Sequence, residues 1–521
     1  MSSRFFPALL YVVLLAMLNA CGTTGPRPAA DMSEKQDFPP GTDTRGDELQ
    51  DRPYDLQRDP SDRSLAEVSE LSANMIGYQP DVALEVLRSL ESVPSGQLKA
   101  MIDDQFYDPE FTEWLELSLQ MRTTLINGYS IAAAAKYWAD YHYGHAVDRA
   151  NFPELTSRYR ALFPVPSQVA VLLPAEGGLA AAANAIRDGI LSAYLEQPGD
   201  SVIRFYSSGE SSEAAFAAYL QASEDGATQI IGPLRIESTR ALASLEDPTV
   251  PVLLLNEPSD EAPMGLEQSS IVNSLSLSQT EEAAAIASRA VSLGLLRAVV
   301  LVPDSAWGTR IETTFKTVFE NGGGQITATS RFNRAEKDHS AMLTQLLKID
   351  QSKQRKTDLQ AYLGVQLAFE ANRRDDFDFI FMAASPQEGR ELKPLLRFHD
   401  AGDVPVYAMG RIFNGKRQGA PDLDLNSIVF PTTPWQLEAV KESHALPASV
   451  RDGAFGNLFA LGQDAWRLLP WLPLMQKDPD LWYPGDVGAL RLQADGRLYR
   501  EPSWAQFSAG QPVPYLWPEQ N

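Results

Sequence analysis

The sequence is poor in the residues that build covalent cross-links and metal centres. Its 521 residues include one cysteine, Cys21, and five histidines. A single thiol excludes a disulfide within the chain and any cysteine-rich zinc or iron–sulfur site. His142 and His145 lie three residues apart, but without a third ligand nearby they indicate an exposed helix end more than a metal site. We therefore predict no metal and no cofactor.

Positive charge is also scarce. The chain has 44 lysines and arginines against 68 aspartates and glutamates, a formal net charge of -24 at pH 7. A nucleic acid would be repelled by this average field, and no local basic patch offsets it, so nucleic-acid binding is excluded. With 44% hydrophobic residues, the chain can nevertheless bury a sizeable core. At about 150 residues a domain, its length predicts two to four domains.

Recognisable catalytic motifs are missing as well. The sequence contains no G-x-S-x-G, H-E-x-x-H or G-x-G-x-x-G motif and no Walker loop. Three consecutive glycines, Gly322 to Gly324, fit a turn between a helix and a strand. We therefore predict that the protein is not an enzyme. A hydrolase with an unfamiliar site is the remaining alternative in this class.

Residues 1–20 predict a lipoprotein signal peptide. Arg4 gives a positive start, and the apolar stretch 5–18 is shorter than the roughly 20 residues that cross a bilayer comfortably. Cys21 follows Leu-Asn-Ala, which resembles a bacterial lipobox, whose cysteine receives acyl chains such as palmitate and becomes the mature N-terminus. Gly22 resembles the residue found at this place in lipoproteins sorted to the outer membrane. An ordinary secretory signal with an incidental cysteine is the alternative.

Residues 21–62 predict a flexible, lipid-anchored linker. From residue 22 onward the segment contains six prolines and ten acidic residues, and very few large apolar side chains. Such a composition cannot bury enough apolar surface to offset the entropy of ordering. Forty residues reach roughly 130 Å when stretched, or about 35 Å as a random coil. The linker would therefore let a folded domain reach into the periplasm.

Residues 63–164 predict a short all-α domain. Leu84, Leu87 and Leu90 recur at helical spacing, and residues 131–143 form an alanine-rich stretch with aromatic side chains. Paired helices of this kind suggest a hairpin array related to tetratricopeptide repeats, although no 34-residue period is visible. We predict a TPR-like helical domain.

From Ser167 onward, apolar runs alternate with amphipathic stretches. This alternation predicts parallel α/β layers, and two successive sheets of four or five strands fit the length better than one large sheet. The predicted strands are 168–174, 202–206, 229–231, 250–255, 297–302, 324–331, 377–383 and 404–409. The residues alone thus predict a bilobed α/β protein.

Several segments carry a resemblance to known families. The strand and helix "VAVLLPAEGG" and "AAANAIRDGILSAY" resemble the opening of type I periplasmic binding proteins, and "GATQIIGPL" and "VPVLLLN" resemble later parts. A narrower resemblance is to LpoA-type penicillin-binding-protein activators, carried by "FDFIFMAASPQEGRELKPLLRFHDAGDVPVYAMGRIFNG", "LNSIVFPTTPWQL" and "LFALGQDAWRLLP". The helical domain of that family is usually longer than the one here.

The resemblance implies a type I periplasmic-binding-protein-like domain at 165–521. Lobe one would comprise about 165–274 and 411–490, and lobe two about 275–410. It also implies an outer-membrane lipoprotein that binds and stimulates a class A penicillin-binding protein in peptidoglycan synthesis, and so supports cell shape. The alternative is a solute-binding lipoprotein of an ABC transporter with an amino-acid-type ligand.

The same resemblance places a cleft beyond the carboxyl ends of the strands, where open α/β sheets bind ligands. For each candidate cleft residue, ordinary turn chemistry is at least as good an interpretation as ligand contact. Trp307 is the candidate with the strongest functional expectation, and a core tryptophan is its alternative. No arginine suited to binding a carboxylate is evident from the sequence. The candidates are Glu176, Gly177, Ser207, Gly232, Pro233, Asn256, Asp304 and Trp307.

Overall fold

The computed structural model describes residues 59–517, except 105–106, 197–199, 259–270, 337, 438–449, 451–452 and 454. All described residues belong to one compact unit, Leu56–Asn521. The predicted signal peptide (1–20), the predicted lipidation site Cys21 and nearly all of the predicted linker (21–62) lie outside the described residues.

An all-α segment opens the described chain. Its helix starts are set by local sequence: the Ser64 side chain and Glu67 form a reciprocal capping box, and Asp108 caps a longer helix through the Phe111 amide. The prediction of an all-α segment before the sheets is confirmed, whereas its TPR-like pairing stays a prediction. The helices are α1 (Leu65–Ala73), α2 (Pro80–Leu90), α3 (Ser95–Asp103), α4 (Pro109–Ile126), α5 (Ile131–Tyr141) and α6 (Phe152–Arg160).

The first sheet has five parallel strands in the order β2-β1-β3-β4-β5. Four of its strands were predicted within two residues, and three of them, β1, β3 and β4, are buried and therefore appear as continuous apolar runs. The fifth, β5, lies where we predicted only a passage between lobes. The elements are β1 (Gln168–Leu173), α7 (Ala180–Glu196), β2 (Val202–Ser207), α8 (Ser212–Glu224), β3 (Gln229–Ile231), α9 (Ile236–Ala243), β4 (Val252–Leu254) and β5 (Val272–Ser274).

The second sheet has seven strands rather than the predicted four or five, in the order β15-β14-β10-β9-β8-β6-β7. Strands β6 to β10 are parallel, whereas β14 runs antiparallel to β10 and β15 to β14. The elements up to the last parallel strand are α10 (Gln279–Ser292), β6 (Arg297–Pro303), α11 (Ala306–Asn321), β7 (Gln325–Phe332), α12 (Ser340–Leu346), α13 (Ile349–Leu363), β8 (Phe379–Met382), α14 (Pro386–Phe398), β9 (Val406–Ala408) and β10 (Ile428–Thr432).

The return of the chain to lobe one therefore comes later than the predicted residue 411. After β10, α16 packs along α7, and Gly189 and Gly462 allow the two backbones to touch because a Cβ on either would collide with a carbonyl of the other helix. A small third sheet follows, and its last strand leads directly into β14 of the second sheet. The remaining elements are α15 (Pro434–Leu437), α16 (Gly456–Arg467), α17 (Leu472–Lys477), β11 (Tyr483–Gly485), β12 (Gly488–Leu492), β13 (Leu498–Glu501), β14 (Ser503–Ser508) and β15 (Gln511–Pro514).

One buried core joins the helical segment to the first sheet. It contains Trp114 of α4, Val171 of β1, Trp466 of α16 and Leu490 of β12. The second sheet has its own apolar clusters, one on each face. Within the described part of the chain, no helix combines the length and the apolar character needed to cross a membrane.

Candidate functional site

The carboxyl ends of the strands in both sheets come together where the chain first passes between them. The first sheet ends its β5 strand at Ser274, and α10 of the second sheet begins at Gln279. Glu257, just after β4, accepts hydrogen bonds from the side chains of Ser276 (3.0 Å) and Ser278 (3.3 Å) in this passage. Since α10 precedes β6 and runs back along it, the start of α10 lies beside the carboxyl end of β6. We call the carboxyl ends of β1 to β5 the first-sheet edge and those of β6 to β9 the second-sheet edge.

Three of the predicted residues lie exposed at the first-sheet edge. Glu176 and Gly177 form the turn after β1, where Gly177 has a positive φ of 82° and the Glu210 side chain lies against it. Ser207 ends β2, and its hydroxyl accepts the Gly209 amide at 3.4 Å. The exposed carboxylates of Glu176 and Glu210 make this edge acidic. Their contact with any ligand stays a prediction.

Three further predicted residues are used in holding the turns of the first-sheet edge. Gly232 and Pro233 are buried; the Gly232 amide donates to the Leu253 carbonyl at 2.8 Å, and a Cβ at Gly232 would collide with the Leu172 carbonyl. The Asn256 amide donates to the Leu234 carbonyl at 3.0 Å, and its oxygen accepts the Glu257 amide at 2.9 Å. Their polar groups therefore serve local turn geometry, which is the interpretation weighed against ligand binding.

Asp304 and Trp307 lie at the second-sheet edge. Asp304 is exposed directly after β6, and Ser305 caps α11 by accepting the Gly308 amide at 3.1 Å. The indole N–H of Trp307 donates to Gln279 Oε1 at 2.6 Å, which ties the ring to the start of α10. Trp307 is half-buried and also packs against the apolar core on one face of the second sheet. Trp307 therefore contacts the core, as a core tryptophan would, and also lies at the predicted cleft, as a functional residue would.

Two arginines that sequence reasoning missed flank Trp307. The guanidinium carbon of Arg411 lies 4.4 Å from the centroid of the Trp307 ring, and that of Arg334 lies 5.8 Å from it. Arg334 follows β7 and Arg411 follows β9, so both stand at the carboxyl end of a strand. Because both strands were predicted from the sequence, an arginine shortly after each of them could have been recognised as a candidate cleft residue. Neither arginine was among the residues expected to line the cleft, and whether they bind a carboxylate stays a prediction.

Two guanidiniums and the carboxylate of Glu388 set the electrostatics around Trp307. Arg334 is paired with Glu388, Nε to Oε1 at 2.9 Å. Burial and then the neighbouring charge of Arg334 lower the pKa of Arg411, while Glu388 opposes the change. Cations over an aromatic face can hold an oxyanion, but they do not constitute a nucleophile with its base. The arrangement is suited to binding rather than to proton transfer.

His142 and His145, the pair considered as metal ligands, lie in the helical segment just after α5. The His142 ring stacks on Trp138 at 3.7 Å, and its Nε2 lies 3.4 Å from Glu116 Oε2. His145 is buried, and burial lowers its pKa to about 4. Across the described residues, no group of three or more histidine, cysteine, aspartate or glutamate side chains is arranged to hold a metal ion.

Residues 80–510 match the family described as "LppC putative lipoprotein". The chain is also similar to proteins named penicillin-binding protein activator LpoA. The protein from Vibrio antiquarius is 25% identical over 415 residues, covering 76% of this chain and 66% of the relative. The protein from Photobacterium profundum is 24% identical over 406 residues, covering 76% and 65%. The chain thus spans slightly less than two thirds of the length of these relatives.

Solved structures share the fold. The C-domain of LpoA from Haemophilus influenzae, titled a regulator of PBP1A, matches with a TM-score of 0.53 and 19% identity, over 67% of this chain and all of that domain. Full-length LpoA from the same organism matches with a TM-score of 0.54 and 18% identity, over 88% of this chain and 84% of that one. The second match extends the likeness to the helical segment.

Proposed function

This chain belongs to the LppC family, and we propose on that premise that it is an outer-membrane lipoprotein that binds and stimulates a class A penicillin-binding protein. The observation that carries the proposal is the extent of the family match, which runs from α2 through both sheets to β14. Relatives that match over most of this chain are named activators of penicillin-binding proteins. In this proposal the protein regulates a peptidoglycan synthase and does not itself catalyse a reaction.

Stimulation of an enzyme by a bound protein requires a difference in affinity. The partner must bind the active conformation of the synthase more tightly than the inactive one, and couplings of this kind are on the order of 1–3 kcal/mol. Such an activator needs an exposed contact surface of roughly 800 Å² per side. It does not need a catalytic pocket.

The outer stripe of α13 supports a contact surface on the second sheet. Among the residues of α13, only Ile349 and Ser352 are buried, so most of this helix stands away from the core. Leu359, Tyr362 and Leu363 expose 49%, 87% and 49% of their surface. Their spacing of three and four residues puts them on one side of the helix. Exposed apolar patches of this kind mark interaction sites, and we assign this stripe to the synthase.

Anchoring is the second part of the proposal. Cys21 would carry the acyl chains, and several chains hold a protein on a membrane more firmly than one does. The variant Cys21→Ser should lose detergent-phase partitioning, because the sequence has no other thiol. The variant Gly22→Asp should move the protein toward the inner membrane. Unchanged partitioning of Cys21→Ser would remove the lipoprotein part of the proposal.

The activating role is tested with a purified class A penicillin-binding protein in glycan-polymerisation and crosslinking assays. We expect saturable stimulation by the wild-type protein and its loss in the double variant Leu359→Ser/Tyr362→Ser. The matched control is Phe216→Ser/Leu220→Ser on α8, where the two side chains are 40% and 44% exposed and four residues apart. Both variants should keep the wild-type melting temperature, because exposed side chains contribute little to stability.

The outcomes separate the surface from the function. Stimulation that is lost in the α8 variant and kept in the α13 variant would move the contact to the first sheet. Absence of stimulation for any class A synthase would sink the activator proposal. A large melting shift with one small ligand, together with that absence, would instead favour a solute-binding lipoprotein.

A further inference from the structure

Arg411 occupies an unusual position for a charged side chain. It is half-buried at the second-sheet edge, with its guanidinium over the Trp307 ring at 4.4 Å. Within the described part of the chain, no carboxylate or carbonyl forms a hydrogen bond or ion pair with its guanidinium. A half-buried guanidinium without a protein acceptor depends on solvent for its hydrogen bonds, and the oxyanion of a ligand can take the place of that solvent.

The surroundings hold Arg411 in place before any ligand arrives. Trp307 is fixed by its 2.6 Å hydrogen bond to Gln279 and by its packing on the core of the second sheet. Arg334 approaches the same ring at 5.8 Å, so that two guanidiniums share one indole. Side chains fixed in this way lose little conformational freedom on binding, which favours affinity.

Ion pairing at the edge is incomplete. Glu388 is the carboxylate paired with Arg334, at 2.9 Å, and it also acts electrostatically on Arg411. Glu388 is paired with Arg334 rather than with Arg411, so the Arg411 guanidinium has no ion-pair partner among the described residues, and Asp304 is the other carboxylate exposed at this edge. A planar guanidinium presents parallel N–H groups that match the oxygens of a carboxylate or a phosphate.

We propose that Arg411 and Arg334, held against Trp307, bind the oxyanion group of a small ligand at the second-sheet edge. A small ligand is favoured over a macromolecule because the site lies at the carboxyl ends of parallel strands, beside the passage between the sheets, where α/β proteins bind small molecules. The shared chemistry is a carboxylate or a phosphoryl group. This inference goes beyond synthase activation and does not depend on it.

The test is calorimetric titration of the purified full-length protein in detergent. Sodium citrate and sodium phosphate are titrated separately, with sodium chloride holding ionic strength constant. We expect one of them to bind and Arg411→Gln to weaken that binding at least tenfold, while Arg334→Gln weakens it less. Arg187→Gln is the matched control, because Arg187 forms an exposed pair with Asp188 at 3.0 Å on the outer helix α7. It should bind as the wild type does.

Each outcome decides. Citrate binding that requires Arg411 assigns the site to carboxylates, and phosphate binding that requires it assigns the site to phosphoryl groups. Binding of neither anion, or binding that Arg411→Gln and Arg187→Gln reduce equally, overturns the proposal. If Arg411→Gln does not fold, Arg334→Gln takes its place, since that side chain is 43% exposed. The measurement involves no synthase, so its failure is distinct from failure of the activator role.

Discussion

The helical segment meets the first sheet through one kind of junction, and the second and third sheets meet through another. Arg122 of α4 and Asp478 after α17 form a pair at 2.6 Å, with both side chains 0% exposed. Asp478 also accepts the amide and the hydroxyl of Ser95, and Arg122 donates to the Val93 carbonyl. Between the small third sheet and the second sheet, Arg500 of β13 pairs with Glu282 of α10 at 3.1 Å, and Glu282 also accepts the Gly410 amide at 3.3 Å.

The two junctions differ in how well their carboxylates are satisfied. Asp478 has several donors and one matching cation, and an apolar core surrounds it. At the other junction, Glu281 lies near the charges of Glu257, Glu282 and Arg500, and its Oε2 is buried without a partner among the described atoms. Burial and then the charge of Glu257 raise the pKa of Glu281 to about 7, against the opposing charges of Arg500 and Arg497.

This difference teaches that the helical segment is built into the core of the first sheet. At the first junction both Asp478 oxygens accept hydrogen bonds inside an apolar core, and this arrangement is difficult to replace by another. A junction of crowded carboxylates keeps unfavourable interactions, which protonation or motion can relieve.

The largest effect is expected from breaking the first junction. Arg122→Met should lower the free energy of unfolding by about 3–5 kcal/mol, because it leaves the Asp478 carboxylate buried without its cation. Chemical denaturation at pH 7 measures the loss. The double variant Arg122→Met/Asp478→Leu should recover much of it, since no buried charge remains. A loss below about 1 kcal/mol for the single variant would show that the pair does not hold this junction.

A smaller effect is expected from the matching change between the sheets. Glu282→Gln keeps an oxygen that can accept from Arg500, so the free energy of unfolding should fall by about 1–3 kcal/mol. The same denaturation experiment applies, and Arg187→Gln, at an exposed pair, should stay within about 0.5 kcal/mol of wild type. If Glu282→Gln costs as much as Arg122→Met, the proposed contrast between the junctions does not hold.

The smallest effect is a pH dependence at the second junction. The folded pKa of Glu281, about 7, lies above its ordinary value, so its contribution is present at low pH and is lost as pH rises through 7. From pH 6 to pH 8 the wild type should lose about 1 kcal/mol through this group. Glu281→Gln should remove that portion of the slope.

The wild-type curve must be compared with the variant rather than read alone. Burial also raises the pKa of Asp464 to about 7, and this group contributes in the same direction in both proteins. Thermal unfolding at several pH values isolates the difference. Parallel curves for wild type and Glu281→Gln would contradict the assigned role of Glu281.

The parallel strands were accessible from the sequence because of their burial. Residues 297–303 and 379–382 are buried on both faces almost throughout, so each appears as an apolar run bounded by turn residues. The strands β10, β14 and β15 carry weaker signals. Pro431 interrupts β10 and Pro512 lies in β15, and proline is unfavourable in a strand unless its partners tolerate the missing N–H. Because β10 pairs with β9 and β14 pairs with β10, the second sheet continues beyond residue 411, where lobe two was predicted to end.

The fold class, the all-α segment before the sheets and the family were predictable from the residues, because these depend on local periodicity and on segments that keep their order along the chain. Only the tertiary structure decided which side chains share the site. Arg334 and Arg411 reach one tryptophan because β7 and β9 end at the same edge, and Arg122 reaches Asp478 because α4 packs beside the end of α17. These contacts depend on how strands pair and helices pack across long sequence separations. Local periodicity does not specify which distant side chains come into contact.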